Sequence, residues 1–389
     1  MKNDKMTYFD GFRGLLTMIV FMGHFFVAFC LPLVADSTFF SIINKTPLVI
    51  FYNGFYSITA FYILSGYLIS WQFFLKKDDM YLVSAFLRRY IRLTVPVLAV
   101  CLIVYAVQKT GLFSHKEIAL KISSWWLDSF CFVYKPGIIA TVKYALYNVY
   151  FGFTSFPAYN NVLWTMQYEL IGSMLTLVIL FITGKIKNRL WIYILLAGLF
   201  CNSHNIGFVF GIILADLNFH KPEIRLLNSR YILAVLFIFS VLLGTIGTRK
   251  PEIAIVNNIL FHSTVSGIFA TEKVLNYNIS FFYMYVSSAV IILILTRSAL
   301  MQKVFNLRIL QFIGRVSYSF YLIHVVILCS FSSFIILQLM KTTMSYKLIC
   351  LFTLVGTIAF ALLISWVLYI LVESRSIRWS RKFSGYFMK

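Results

Sequence analysis

Long apolar runs alternate with short polar segments along this chain. The runs lie near 12–33, 48–75, 93–107, 162–183, 190–203, 205–219, 231–247, 279–296, 317–340 and 347–372. A helix needs about 20 apolar residues to cross a hydrocarbon core of about 30 Å. The pattern therefore predicts an all-α, polytopic membrane protein with about ten transmembrane helices. The third, fifth and sixth runs are short for a full crossing. The first follows Lys2 and Lys5 and ends on "LVAD", in the manner of a signal peptide. It is longer than a signal-peptide core and no A-x-A site closes it, so it reads as an uncleaved first span.

Composition and charge sharpen this picture. Of 389 residues, 60% are hydrophobic and 12% charged, with 40 Phe and 24 Tyr; mean hydropathy is +0.85. Soluble domains carry about a quarter charged residues. No repeat, low-complexity segment or appended soluble domain is visible, so residues 1–389 read as one membrane domain. The net charge of +21 is spread between apolar runs, which points to topology and anionic lipid head groups and away from nucleic acid.

If all ten runs cross and the N-terminus is cytoplasmic, 23 of the 34 Lys and Arg fall in cytoplasmic segments. Of the other 11, five lie in one long outer loop, 108–161, and both termini are predicted inside. That loop holds "SSWWLDSFCFVY" and "KYALYNVYFGF", which read as interfacial or re-entrant. The six cysteines are scattered, mostly in apolar runs and without CxxC spacing; they read as packing residues, and no metal site is expected.

Ionisable groups inside spans are costly, and each marks a functional candidate. In "DGFRGLLTMIVFMGH", Arg13 sits at the mouth of the first span and His24 about 16 Å deeper, on nearly the same helical face. Arg13 suits an anion at the membrane surface and His24 a proton deeper in; the alternative is a histidine that only hydrogen-bonds a neighbouring carbonyl. In "FLRRYIRLTVP", the spacing puts Arg88 and Arg92 on one face beside Arg89, a phosphate-type cluster or an ordinary positive-inside anchor. In "NNVLWTMQYELIG", Glu169 must be protonated, paired or facing water, and it either does chemistry or locks two helices. In "GRVSYSFYLIHVVIL", Ser317, Tyr318, Ser319, Tyr321 and His324 enter the ninth span. Helix packing is the favoured reading of that stretch, and only His324 is expensive there.

Together these stretches resemble the acyltransferase 3 family of integral membrane acyltransferases. The resemblance runs from "YFDGFRG" at Tyr8 to "YILVESRSIRWSRK" at Lys382. Arg13 and His24 match the family's Arg, ten residues, His pattern, and Phe61 to Ile69 its "FxxLSGYLI". Arg88, Arg89 and Arg92 match RRxxR; Leu163 to Glu169 match "LWTxxxE"; Ser317 to His324 match "SYSxYLxH". "VESRS" departs from the family's frequent "VExP", at the end of the last span and away from the expected chemistry.

The resemblance implies catalysis through His24, Arg13 and Glu169, and an acyl-CoA donor, acetyl-CoA by default, on Arg88, Arg89 and Arg92. It implies acceptor or supporting roles for Asp10, Trp164, Ser317, Tyr318 and His324. The implied acceptor is a hydroxyl of a surface polysaccharide or its lipid-linked sugar precursor. The extracytoplasmic hydrolase-like domain of many relatives is not expected. A Lys-, Asn- and Ile-rich composition looks bacterial, so the expected location is the inner membrane. A homo-oligomer stays open. The rival reading is a proton-coupled carrier using the buried His and Glu; against it stands the absence of a visible repeat of interrupted helices.

Overall fold

The computed structural model describes residues 6–30, 46–129, 131–132, 135–152, 159–220, 229–246 and 272–387. The "LVAD" stretch, residues 31–33 and 247 of two runs, and Lys2, Lys5, Lys45, Lys221, Arg225, Arg249, Lys250 and Lys389 lie outside the described residues. Among those described, the chain is helical with no strand.

Helix α1 spans Tyr8–Phe25 and runs on through a π-turn, Phe26–Cys30. Helix α2, Gly54–Lys76, is capped by Asn53, whose Oδ1 accepts from the Phe55 and Tyr56 amides at 3.1 and 3.3 Å. Helix α3, Asp79–Lys109, starts on Asp78, whose carboxylate accepts from the Met80 amide at 2.9 Å. Such caps satisfy amides that the helix itself leaves unbonded. Two short helices follow, α4 (His115–Ile122) and α5 (Trp125–Ser129). Then come α6 (Trp164–Thr183), α7 (Leu190–Leu199), α8 (Asn205–His220) and α9 (Arg230–Ile246). The last group is α10 (Glu272–Arg297), α11 (Ala299–Phe305), α12 (Arg308–Ile327), α13 (Tyr346–Leu368) and α14 (Ser374–Phe387). A π-turn, Leu328–Ser332, follows α12, and another, Tyr369–Glu373, joins α13 to α14.

Seven helices among the described residues are long and apolar enough to cross a bilayer: those built on α1, α2, α3, α6, α10, α12 and α13. Helices α7, α8 and α9 are shorter. The 10 residues of α7 span about 15 Å, half a hydrocarbon core. The third run needs correction. It is the C-terminal half of a 31-residue helix, so Arg88, Arg89 and Arg92 lie inside a span-forming helix and not in a loop.

Helix α2 packs against α8, α10, α1 and α6. Helices α1 and α12 run parallel, and glycine brings them into backbone contact. A methyl group on Gly14 would lie 2.8 Å from both the Gly314 amide nitrogen and the Leu310 carbonyl oxygen. One on Gly314 would collide with the carbonyl oxygen of Asp10. Small residues permit such close approach in apolar surroundings, where van der Waals packing holds helices together.

Candidate functional site

Inside the bundle lies a cavity of about 300 Å³, walled by α1, α2, α3, α6, α12 and the π-turn after α13. Its charged lining is Arg13, Arg89, Arg92, Glu169 and Glu373, and its polar lining includes Ser65, Gln72, Thr165, Ser317, Tyr318 and Tyr321.

Arg89 is engaged on every side. Its Nη2 pairs with Glu169 Oε1 and donates to Ser65 Oγ at 2.6 Å, and its Nε donates to Ser173 Oγ at 2.8 Å. Ser65 Oγ in turn donates to Glu169 at 2.7 Å. One polar knot thus ties α2, α3 and α6, and Glu169 proves to be paired, as a carboxylate in a span must be if it stays charged. Glu373 is buried and accepts from Ser319 Oγ at 2.7 Å.

Arg13 and Arg92 make no ion pair among the described residues and face the open volume. Three guanidiniums against two carboxylates leave the cavity with an excess of positive charge. Ser317 is 2% exposed, lines the cavity, and its hydroxyl has no hydrogen-bond partner among the described residues. A chamber with unspent donors and surplus positive charge is built for an anionic or acceptor-rich guest.

Part of the cavity wall is a cluster of hydroxyls from Tyr62, Thr165 and Tyr321. Thr165 Oγ1 and Tyr321 Oη lie 2.9 Å apart, and Tyr62 Oη donates to the Thr165 carbonyl at 3.3 Å. Beyond Tyr321, one turn along α12, His324 meets His24, with His24 Nδ1 and His324 Nε2 2.8 Å apart. The two ring planes are 14° from parallel with centroids 5.1 Å apart, an edge-to-edge arrangement, and the Trp126 ring of α5 lies 5.4 Å from that of His24. Ser114, just before α4, donates its amide to the Cys329 carbonyl in the π-turn after α12 at 3.1 Å. His115 beside it is buried, and burial, helped by Lys116, pushes its imidazole down to about 4.

The structure thus gathers Arg13, Arg89, Arg92, Glu169, Ser317 and Tyr318 around one cavity, and puts His24 with His324 beyond Tyr321. Tyr318 donates to the Leu93 carbonyl at 2.9 Å. Three of the expected residues stand apart. Arg88 turns back to the Ser84 carbonyl at 3.0 Å, Trp164 packs on Tyr168 and His204, and Asp10 is outside the cavity lining, its backbone carbonyl packed close to Gly314.

Sequence reasoning assigns no role to Glu373, Ser65 or Trp126, and it reads Tyr321 as part of a packing stretch. Glu373 had a signal, an acid at the end of a long apolar run, but "VESRS" was set aside as remote from the chemistry. The π-turn carries it into the cavity wall. Trp126 lay in a loop stretch already marked as interfacial.

A family model described as an acyltransferase domain matches residues 6–370 of the chain. No curated protein and no solved structure matches it.

Proposed function

Because the chain belongs to the acyltransferase 3 family of integral membrane acyltransferases, we propose that it is an O-acyltransferase, by default an O-acetyltransferase. The donor is cytoplasmic acyl-CoA. The acceptor is a hydroxyl of a cell-surface polysaccharide or of its lipid-linked sugar precursor, at the inner membrane of a bacterial cell.

The observation that supports this reading is an arginine-lined cavity with a histidine pair one helical turn beyond its lining residue Tyr321. Arg13 and Arg92, which share the cavity with Glu373 but make no close ion pair among the described residues, are the groups suited to donor phosphates, since guanidinium forks match phosphate oxygens. The cavity, about 300 Å³, lies at the small end of ligand pockets and suits an extended thioester arm better than a nucleotide. Arg89 serves chiefly to hold Glu169 and the wall. Past Tyr321, His24 is the general base that takes the proton of the attacking hydroxyl. No metal is required, because the leaving thiolate is already a good leaving group.

The test is acetyl-CoA turnover by the full chain in liposomes, wild type beside His24→Ala. Slow CoA release that disappears in the variant, with the protein still folded in the membrane, is the expected result. Turnover that survives the substitution removes His24 as the base. Absence of CoA binding by folded wild-type protein removes the acyltransferase reading altogether.

A further inference from the structure

The histidine pair carries more information than its proximity. His324 Nδ1 lies 2.7 Å from the Tyr321 carbonyl oxygen and 3.2 Å from that of Phe320. A carbonyl only accepts, so Nδ1 of His324 must bear a proton. In a neutral imidazole the other nitrogen is then a lone pair, and that nitrogen, Nε2, is the one 2.8 Å from His24 Nδ1. His24 must supply the proton of that bond. Its own Nε2 is left as the lone pair, and among the described residues it has no protein partner.

We propose that His324 is a positioning residue that fixes His24 as its Nδ1–H tautomer and leaves Nε2 as the proton-accepting nitrogen of the transfer reaction. This rests on the acyltransferase reading for its chemistry, though not for the tautomer itself.

In the reaction, His24 Nε2 takes the proton of the acceptor hydroxyl as its oxygen bonds to the thioester carbonyl carbon. The C–S bond breaks, and the same proton passes from Nε2 to the departing sulfur to give CoA–SH. Throughout, the Nδ1–H of His24 stays hydrogen-bonded to His324 Nε2, so the transient imidazolium is stabilised without a carboxylate. The device does with a second imidazole and two backbone carbonyls what an acidic partner does in hydrolase triads, where the wrong tautomer costs about 10⁴-fold. It also gives a reason for a buried, costly histidine in a stretch whose small residues read as packing.

Two measurements test it. The first is ¹⁵N NMR of the full chain in nanodiscs with labelled histidine. The prediction is a His24 signal set with pyrrole-type Nδ1 and pyridine-type Nε2, lost in His24→Ala and perturbed in His324→Leu. A pyridine-type Nδ1 on His24 overturns the proposal whether or not the protein transfers acyl groups.

The second compares His324→Gln with His324→Leu, each checked for folding by melting temperature. The Gln amide oxygen accepts from His24 Nδ1–H, whereas Leu does not. His324→Gln is expected to keep kcat within about 10-fold of wild type, and His324→Leu to lose about 10²–10⁴-fold, both with KM for acetyl-CoA unchanged. Equal losses in the two folded variants, or a loss expressed in KM, overturn the positioning role. Wild-type turnover that is absent while the tautomer is as described would remove the acyltransferase reading and leave the tautomer assignment standing.

Discussion

Arg88 and Arg92 sit four residues apart on one helix, and nothing in their spacing says which of them faces a substrate. The structure separates them: Arg92 lines the cavity, while Arg88 bonds to the carbonyl one turn behind it. A charge-assisted hydrogen bond contributes about 1.5–3 kcal/mol, so Arg92→Ala is expected to weaken CoA binding about 10- to 100-fold. Arg88→Ala should leave it within about twofold. Titration calorimetry at two salt concentrations checks both, and equal effects would remove the distinction. The sequence exposed the costly residues, since a Glu or His in an apolar run is conspicuous on its own. It hid their partners. Arg89 and Glu169 are 80 residues apart and His24 and His324 are 300 apart, and no local pattern joins them. Glu373 was visible as a letter, but its direction depends on a π-turn that hydropathy does not encode.

At the scale of helices, α1 and α12 are locked in a common register. Gly14 faces Gly314, and ten residues further along each helix His24 faces His324. Gly314→Ala pushes a methyl against the Asp10 carbonyl, a backbone atom that no side-chain rotation moves aside. Overpacking of this kind costs about 1–3 kcal/mol. The expected outcome is a lower melting temperature together with a loss of turnover larger than that of Gly356→Ala, where a methyl meets open space. Equal behaviour of the two variants would mean that the contact does not set the histidine geometry. Helix existence was legible at this scale because apolar length dominates it. The start of α3 was not, because Arg88, Arg89 and Arg92 depress hydropathy in a segment that is nonetheless helical.

For the molecule as a whole, the uneven distribution of Lys and Arg predicts a direction in the membrane. Reporters fused to either end of the full chain should both report the cytoplasm. A reporter at one end in the extracytoplasmic space would overturn the count of crossings, which the short helices α7, α8 and α9 make the most exposed part of the reading. The chamber's lining includes Gln72 and Tyr81 as well as the arginines, with the histidine pair beyond Tyr321. It draws on helices from both ends of the chain, which is why apolar periodicity alone could place the spans yet not assemble the site.

The knot between Arg89 and Glu169 has a consequence for how the protein is made. The ribosome delivers Arg89 and Arg92 well before Glu169, and at about 5–20 residues per second the 80-residue gap lasts several seconds. During that interval α3 holds arginines with no carboxylate to meet, each costing about 2.5–3.5 kcal/mol at the centre of a lone helix. Stable packing of the arginine-bearing half of α3 is therefore expected to wait for α6. Biogenesis becomes a joint event of two distant segments, and a stalled nascent chain that stops short of Glu169 should still be held by the insertion machinery.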